Sequence, residues 1–480
     1  MIVSRGTHIA CCVDVAPDFA VRAKYALRML LTPLGLEPRW ISPDALADMA
    51  PPDAPVLYYG RHGTTPPDPR IIPCTHAPGA AVFLAGTSPF DAKDATACEI
   101  EGESVPVCFA DEKGRPDIVA STFLWLSGWQ EQATERRDEH GRVPFADSLP
   151  ARFDTACFPV VDAYRVWLAE RLRAGGVPVS PRRWAGSGWA FCPTHDVDYG
   201  RKWRPGILYR EGIAYFVQNH RGESFRERCG RLGRVGRQML KGDPFRRSIR
   251  EIPREVVSRG GTATFFVKAG AGHPRDTEYR LGSPFLRNWM ARISQEDFEI
   301  GLHPAYRAID EPDRFGLEKK QLAKVLEQVG TPPPISVRQH YLRFDPVTTP
   351  RLQAAHGFRI DSTLGFAEHE GFRRGTCLPF QLYDLEEDRP LDVWEMPLTA
   401  MDSTLFGHRG LDPEEAIRTT SGLMETCRRY GGAFVGLWHP VLGDEIDFPG
   451  WERHFLSTLD EAKREGACIM GLAQVLGKWE

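Results

Sequence analysis

The segment Trp189-Ala190-Phe191-Cys192-Pro193-Thr194-His195-Asp196-Val197-Asp198 decides the fold of the second half of the chain. It is a short apolar run that passes into polar and acidic residues, as a buried strand does where its carboxyl end meets a site. Seven similar runs follow, most of them separated by helix-length or loop-rich segments, at 263–268, 298–303, 336–342, 358–363, 394–398, 433–439 and 467–472. This alternation predicts an α/β fold, a distorted (β/α) barrel of about seven to eight parallel strands.

Polar residues of a few chemical types end these strands, and in parallel barrels the carboxyl ends of the strands meet at one face. The first strand ends with Asp196 and Asp198, and the third ends with His303. The later strand-end candidates are Arg338, His340, Asp361, Asp402 and His439. A single polar strand end is a common turn signal, but six such ends in one barrel predict a site.

The residue types at these ends indicate a reaction class. Asp196 and Asp198 are separated by one residue, which allows one carboxylate to bind a cation while the other acts as a base. His303 is of a type that binds zinc, and a protonated His439 can donate to a leaving group. Together they predict metal-assisted hydrolysis of an amide or an ester, although the same residues also fit a metal-free binding site. The chain has no G-x-S-x-G, H-E-x-x-H or G-x-G-x-x-G motif to support other chemistry.

Composition places the chain among ordinary globular proteins. It has 480 residues, 42% of them hydrophobic and 26% charged, with a net charge of −4. This balance excludes collagen-like and disordered classes and a molecule that coats nucleic acid as a polycation. No apolar run approaches the ~20 residues of a membrane span, and no signal-like stretch begins the sequence. The eleven scattered cysteines form no C-x-x-C pair, which indicates reduced thiols and predicts a cytoplasmic location.

The chain divides at a junction rich in Pro, Gly and Ser, at 175–188. Residues 1–180 are predicted to form a smaller N-terminal α/β accessory domain of unknown role, and 188–480 the barrel. A basic helical insertion is predicted at about 201–259, with 16 Lys/Arg against 6 Asp/Glu. It is either a solvated helical face or a surface for an anionic polymer or the inner membrane leaflet. Few aromatic residues interleave with its arginines, so no nucleic-acid partner is expected.

These motifs resemble those of a known family. Residues 188–480 resemble the polysaccharide deacetylases, carbohydrate esterase family 4. Thr194–Asp198 looks like the family's first motif, which implies Asp196 as catalytic base and Asp198 as metal ligand. Glu299–His303 looks like the second motif, which implies His303 as metal ligand. Ser336–His340 sits where the family has an arginine that orients the base, which implies this role for Arg338. Leu437–His439 matches the last motif, which implies His439 as catalytic acid.

One position departs from the family pattern. The second metal-binding histidine of the family follows the first by four residues, where this chain has Arg307, and no H-x-x-x-H occurs anywhere. An arginine cannot ligate a cation. Either His340 or a carboxylate such as Glu395 completes the shell of a divalent ion, expected to be zinc, or metal binding is weak or lost. For His340, a ligand role and a substrate-binding role both stay open, since the two-residue strand period places it on one face with Arg338.

The whole chain resembles a bacterial subgroup of the family that carries an uncharacterised α/β domain before the barrel. The similarity lies in 338–344 and 372–377 of the barrel and in 138–142 and 158–162 of the first half. It implies a place in surface-polysaccharide biosynthesis. Glu368 and Arg373, in a glycine-bounded loop, and Asp402 are the substrate-binding candidates.

The expected function is removal of an acetyl group, N-acetyl before O-acetyl, from a glycan or glycan precursor. The alternatives are a catalytically silent glycan-binding or scaffolding protein and a hydrolase of a small non-sugar amide.

Overall fold

The computed structural model of the protein describes residues 7–46, 55–61, 70–211, 215, 224–277 and 279–479. Its first part contains a four-stranded parallel sheet in the order β2-β1-β3-β4. The strands are β1 (Thr7–Asp14), β2 (Leu36–Ile41), β3 (Val56–Gly60) and β4 (Ile71–Thr75). A separate hairpin, β5 (Thr96–Ile100) and β6 (Glu103–Val107), turns through Glu101 and Gly102, both with positive φ. That is the backbone of a tight two-residue hairpin turn.

Helices accompany this small sheet, and residues of one sheet face, among them Ile9, Cys11 and Leu57, pack into one apolar cluster with them. The helices are α1 (Pro17–Leu31), α2 (Pro78–Leu84), α3 (Ile118–Leu126), α4 (Trp129–Ala133), α5 (Leu149–Arg152) and α6 (Val160–Ala174). Every residue of α3 is buried, and Asp117 caps it by accepting from the backbone N–H of Ala120. One apolar cluster runs from this domain into the barrel, so the two parts share a continuous core.

The second part is a ten-stranded sheet that curls toward a barrel. Its strands are β7 (Ala190–Val197), β8 (Thr264–Lys268), β9 (Glu299–His303), β10 (Ser336–Val337), β11 (Ile360–Asp361), β12 (Phe380–Asp384), β13 (Arg389–Glu395), β14 (Leu398–Met401), β15 (Ala433–Leu437) and β16 (Cys468–Ile469). Their order is β12-β13-β11-β10-β9-β8-β7-β15-β14, with β16 also on β7. All pairs are parallel except that of β12 with β13. The predicted fold class is confirmed.

The strand count exceeds the predicted seven to eight for local reasons. The run 394–398 is two strands, because β13 ends at Glu395 and β14 begins at Leu398. Pro397 between them has no N–H to offer a ladder. The first of the two strands pairs with β11 and the second with β15, so one bent segment reaches both ends of the parallel sheet. The antiparallel β12 was not predicted.

Helices connect the barrel strands. They are α7 (Pro205–Tyr209), α8 (Phe225–Leu240), α9 (Pro244–Ser258), α10 (Pro284–Gln295), α11 (Pro312–Glu327), α12 (Thr348–Ala355), α13 (Pro413–Tyr430), α14 (Trp451–Arg464) and α15 (Leu472–Gly477). Three of them lie in the basic stretch 201–259. Of these, α9 buries an apolar face and belongs to the barrel wall, whereas only Val235 of α8 is buried. Among the residues described here, no helix is both long and apolar enough to cross a bilayer.

Glu131 ties the two parts together. Its carboxylate accepts two hydrogen bonds from Arg373, at 2.9 Å each, and one from Arg374, at 3.0 Å. All three side chains are buried. Burial alone would raise the pKa of Glu131, but the two guanidinium groups outweigh it and lower the pKa to about 2.

Acid should therefore loosen this junction. A carboxyl group whose pKa is lowered on folding contributes stability that is complete above its unfolded pKa and is lost as the pH falls through its folded pKa. We expect Glu131→Gln to lower the free energy of unfolding at pH 7 by about 3 kcal/mol, because it leaves two buried guanidinium groups without a counter-charge. The variant should also lose the wild-type decline in stability between about pH 4.5 and pH 2.

Urea unfolding at several pH values measures both effects. Glu135→Gln is the matched control, since Glu135 is exposed four residues farther along the chain. Equal stability of Glu131→Gln and Glu135→Gln at neutral pH would contradict the assignment.

Candidate active site

A cavity of about 330 Å³ lies at the carboxyl ends of the barrel strands. Five residues predicted from strand ends line it: Asp196, Asp198, His303, His340 and His439. β7 carries Asp196 and leads into Asp198, β9 ends at His303, and His439 follows β15. Because β7 lies between β15 and β8 in the sheet, the parallel arrangement brings these strand ends to one mouth.

Asp198, His303 and His340 form a cluster suited to a cation. One ligand atom from each lies within 4.8 Å of the others. The Asp198 Oδ1 atom is 3.4 Å from His303 Nε2 and 3.6 Å from His340 Nε2. It is buried and accepts no hydrogen bond from any described residue. Two ligand atoms at about 2.1 Å from a tetrahedral ion are about 3.4 Å apart, so this donor set fits a zinc-like ion.

The opposite ring nitrogens of both histidines have fixed acceptors. His303 Nδ1 lies 2.7 Å from the backbone oxygen of Arg338, and His340 Nδ1 lies 3.1 Å from Asp276 Oδ1. Each Nδ1–H can donate there, which leaves each Nε2 lone pair facing Asp198, as in established metal–histidine sites. Burial lowers the pKa of His340, which favours the neutral, ligating form.

His340 reaches this cluster by a turn rather than by the predicted strand. β10 ends at Val337, and residues 340–342 form a short 3-10 turn in which Tyr341 and Leu342 have φ of 61° and 54°. The expected shared strand face of Arg338 and His340 is therefore wrong. Left-handed backbone at two consecutive non-glycine residues is strained, and it redirects the chain at the cavity wall.

The other two residues weighed for the metal shell lie elsewhere. Arg307 is exposed and precedes a 3-10 turn at Ala308–Asp310. Glu395 is buried and accepts from the backbone N–H of Leu364 at 3.0 Å. Burial, reinforced by the neighbouring Asp361 carboxyl group, raises the pKa of Glu395 well above its usual range. Of the candidates for a third ligand, the structure brings His340 to Asp198 and His303.

Arg338 contacts Asp196, the pair of residues that the family resemblance implied. Arg338 is completely buried and donates to Asp196 Oδ1 at 3.1 Å. It also donates to the hydroxyl group of Thr194 and to the backbone and hydroxyl oxygens of Ser362, at 2.7 to 2.8 Å. With its guanidinium fixed this way, Arg338 orients the Asp196 carboxylate toward the cavity.

His439 is held by Asp402. The Asp402 carboxylate lies 2.7 Å from His439 Nδ1 and accepts from the His439 backbone N–H at 2.6 Å. Burial disfavours the imidazolium, but the carboxylates of Asp402, Asp198 and Asp196 outweigh it and raise the pKa of His439 to about 10. Asp402 was predicted to bind substrate. It does not line the cavity and instead positions His439.

The predicted substrate loop is also corrected. Arg373 is buried in its ion pair with Glu131 and does not line the cavity. Glu368 is half-buried and does not line it either, although its neighbour Ala367 does. The sequence predicted substrate binding for this loop because its charged residues and glycines give no sign of a buried partner far away in the sequence.

The first domain supplies one wall that the sequence did not predict. Arg142 lines the cavity, donates to the backbone oxygen of Tyr341 at 2.7 Å and pairs with Asp138. Beside it, His140 Nδ1 lies 3.1 Å from the Tyr306 hydroxyl group. The stretch 138–142 carries only a family resemblance, and nothing local in its sequence indicates that it reaches the barrel.

Comparisons with known proteins find different relatives for the two parts of the chain. Residues 16–175 match a family described as a family of unknown function (DUF7033). No curated protein gives a significant match.

Solved structures match over the barrel. They include a protein assigned as a polysaccharide deacetylase from Mycobacterium smegmatis, with 19% identity and a TM-score of 0.42, covering 63% of this chain and 94% of that one. An allantoinase has 14% identity and a TM-score of 0.41, covering 64% and 94%. A family 4 carbohydrate esterase from Streptomyces lividans has 9% identity and a TM-score of 0.31, covering 58% and 91%. Polysaccharide deacetylases and family 4 carbohydrate esterases, the group that the motifs resemble, are thus among the solved structures that match.

Proposed function

We propose that the protein is a metal-dependent hydrolase that removes an acetyl group, N-acetyl before O-acetyl, from a glycan or glycan precursor. One observation carries the proposal. The cluster of Asp198, His303 and His340, which fits a cation, lines one cavity together with two further groups. These are the Asp196 carboxylate, which Arg338 contacts, and the His439 imidazole, which Asp402 contacts. Cation, base and acid are the three parts that metal-assisted amide hydrolysis needs.

The roles follow from the contacts of each side chain. Asp198, His303 and His340 would hold the ion, which when bound would polarise the acetyl carbonyl and acidify water. Asp196, oriented by Arg338, takes the proton from the attacking water. His439 is kept as imidazolium by Asp402 and gives its proton to the nitrogen that leaves. Removal of Asp402 would free the His439 ring, so Asp402 acts through His439.

Hydrolysis of a defined panel of substrates tests the function. The purified chain is assayed with zinc or cobalt for acetate release from N-acetylated sugar oligomers, an O-acetylated sugar and 4-nitrophenyl acetate, and for ring opening of allantoin. The proposal expects metal-dependent release from an acetylated sugar. Turnover of allantoin alone would favour the non-sugar amide hydrolase. Binding of sugar without turnover of anything would favour the silent glycan-binding protein. The resemblance of the motifs supports a place in surface-polysaccharide biosynthesis, and the scattered cysteines without a C-x-x-C pair support a cytoplasmic location.

Membrane association of the basic stretch is a separate prediction. α8 exposes Phe225 and Leu240 at its two ends, together with Arg226, Arg234 and Arg237 between them. Arg231 of the same helix is instead ion-paired with Glu211 and Asp447. We expect sedimentation with vesicles rich in phosphatidylserine that weakens steeply as salt rises, because screening shortens the reach of exposed charges.

The double variant Arg234→Gln, Arg237→Gln should weaken this sedimentation, and vesicles of phosphatidylcholine alone provide the lipid control. Association that is absent, or that salt does not change, would leave α8 as a solvated face.

A further inference from the structure

We propose that a second cavity, next to the catalytic one, binds a phosphate or diphosphate group. The substrate of the site would then be an acetylated sugar carried on phosphate. This substrate rests on the proposed function, whereas the anion site itself does not. The cavity has a volume of about 590 Å³. It lies where the chain leaves β7 and β8, at the amino end of α10.

Positive charge converges on this cavity. Arg201, Arg204, Arg246 and Arg280 all line it. Within the described ranges, none of the four forms an ion pair with a carboxylate, and no Asp or Glu is among the lining residues. By contrast, Lys202 in the same stretch is buried against Asp444 and Asp447. Several cations gathered around one concavity repel one another until an anion enters.

Aromatic rings fix two of the arginines. The Arg204 guanidinium lies 5.4 Å from the centre of the Tyr199 ring, and that of Arg246 lies 4.7 Å from the centre of the Phe285 ring. A guanidinium stacked by its face keeps its N–H edge for an acceptor, and its fork matches the oxygens of phosphate.

The amino end of α10 adds one backbone donor and the helix dipole. Ser283, Phe285 and Leu286 line the cavity at the start of this twelve-residue helix. Pro284 has no N–H, and Leu286 donates its N–H to the Ser283 hydroxyl group at 3.5 Å, which leaves the N–H of Phe285 without an acceptor in the helix. The helix dipole adds partial positive charge there. Guanidinium groups and a helix amino end in one cavity are the usual elements of a phosphate site.

The two cavities are neighbours along the chain and in space. Tyr199 lines the catalytic cavity and Gly200 lines the basic one, while Thr277 lines both. A sugar whose acetyl group lies between Asp196 and His439 could therefore extend an attached phosphate toward the arginines. Such a substrate is an activated precursor, since a finished neutral polymer would leave these charges unpaired.

Calorimetric titration of the full chain with sodium pyrophosphate tests the anion site. The titration uses wild type and His303→Ala. The second protein should bind no cation in the catalytic cavity, so pyrophosphate that binds to such a cation does not contribute to the measured heat. We expect Arg204→Gln and Arg246→Gln, made in either background, each to weaken binding at least tenfold, or about 1.4 kcal/mol. Arg418→Gln, an exposed arginine of α13, is the charge-matched control and should bind as its parent does.

Two further titrations identify the carrier. Tighter binding of uridine diphosphate than of pyrophosphate indicates a nucleotide carrier, and tighter binding of farnesyl diphosphate indicates a lipid carrier. Absence of pyrophosphate binding to His303→Ala, or an equal loss in Arg418→Gln, would overturn the proposal. Failure of the proposed hydrolase activity is seen separately, because these titrations require no turnover.

Discussion

Replacing His340 by alanine should release a cation bound by Asp198 and His303, although Arg307 occupies the position where the deacetylases that the motifs resemble have their second metal-binding histidine. His340 supplies one of three ligand atoms within 4.8 Å of one another, and Asp276 fixes its ring. Loss of residues that merely orient ligands typically costs 10- to 100-fold in metal affinity. Loss of a ligand from a three-residue shell should therefore exceed about 100-fold. Zinc retained after dialysis, measured by mass spectrometry, reports the effect.

Three variants complete the metal experiment. His303→Ala and Asp198→Asn should lose the ion as His340→Ala does, while Arg307→Ala should keep it because Arg307 is exposed outside the cavity. If His340→Ala holds zinc as tightly as wild type while His303→Ala does not, His340 is no ligand. If the wild type binds neither zinc nor cobalt, the hydrolase proposal fails.

Loss of the acid and loss of the base should differ in their dependence on the leaving group. An amine must be protonated as it departs, whereas an activated aryl oxide departs readily without a proton. We expect His439→Ala to slow deacetylation of an N-acetyl sugar by about 10²- to 10⁴-fold and hydrolysis of an aryl acetate much less. Asp196→Asn should slow both reactions by about 10²- to 10⁴-fold, because both require activated water.

Steady-state rates of the folded, metal-loaded variants provide the comparison. Asp402→Asn should follow the pattern of His439→Ala in weaker form, since Asp402 contacts only the acid of the pair. Equal losses on both substrates for His439→Ala, or near-normal rates for Asp196→Asn, would show that the two roles are assigned wrongly.

The strand ends of the barrel could be predicted because their signals are local. An apolar run followed by Asp196 and Asp198, or ending at His303, carries both the strand and its chemistry within a few residues. Parallel pairing then brings such ends together without further information. The division of 394–398 at Pro397 was also local, but the two runs on either side of it were read as one.

Partners that lie far away in the sequence could not be predicted. Arg373 was predicted to bind substrate because its true partner, Glu131, lies 242 residues earlier, in another domain. Asp402 was predicted to bind substrate because its true partner, His439, lies 37 residues later and no local pattern links the two. The role of His340 stayed open because a left-handed turn at Tyr341, a residue type that seldom adopts one, directs the chain there.

The junction at Glu131 limits how this protein can be rearranged. Two guanidinium groups of the barrel share one buried carboxylate of the first domain, and Asp162 of that domain accepts from the backbone N–H of Cys377. A barrel cut free at residue 188 would expose apolar surface beside charges with no counter-ion. The two parts are therefore not interchangeable modules. A gene fusion that joined this barrel to a different leading domain would have to supply matching acidic groups at the same places, which favours inheritance of both halves as one unit.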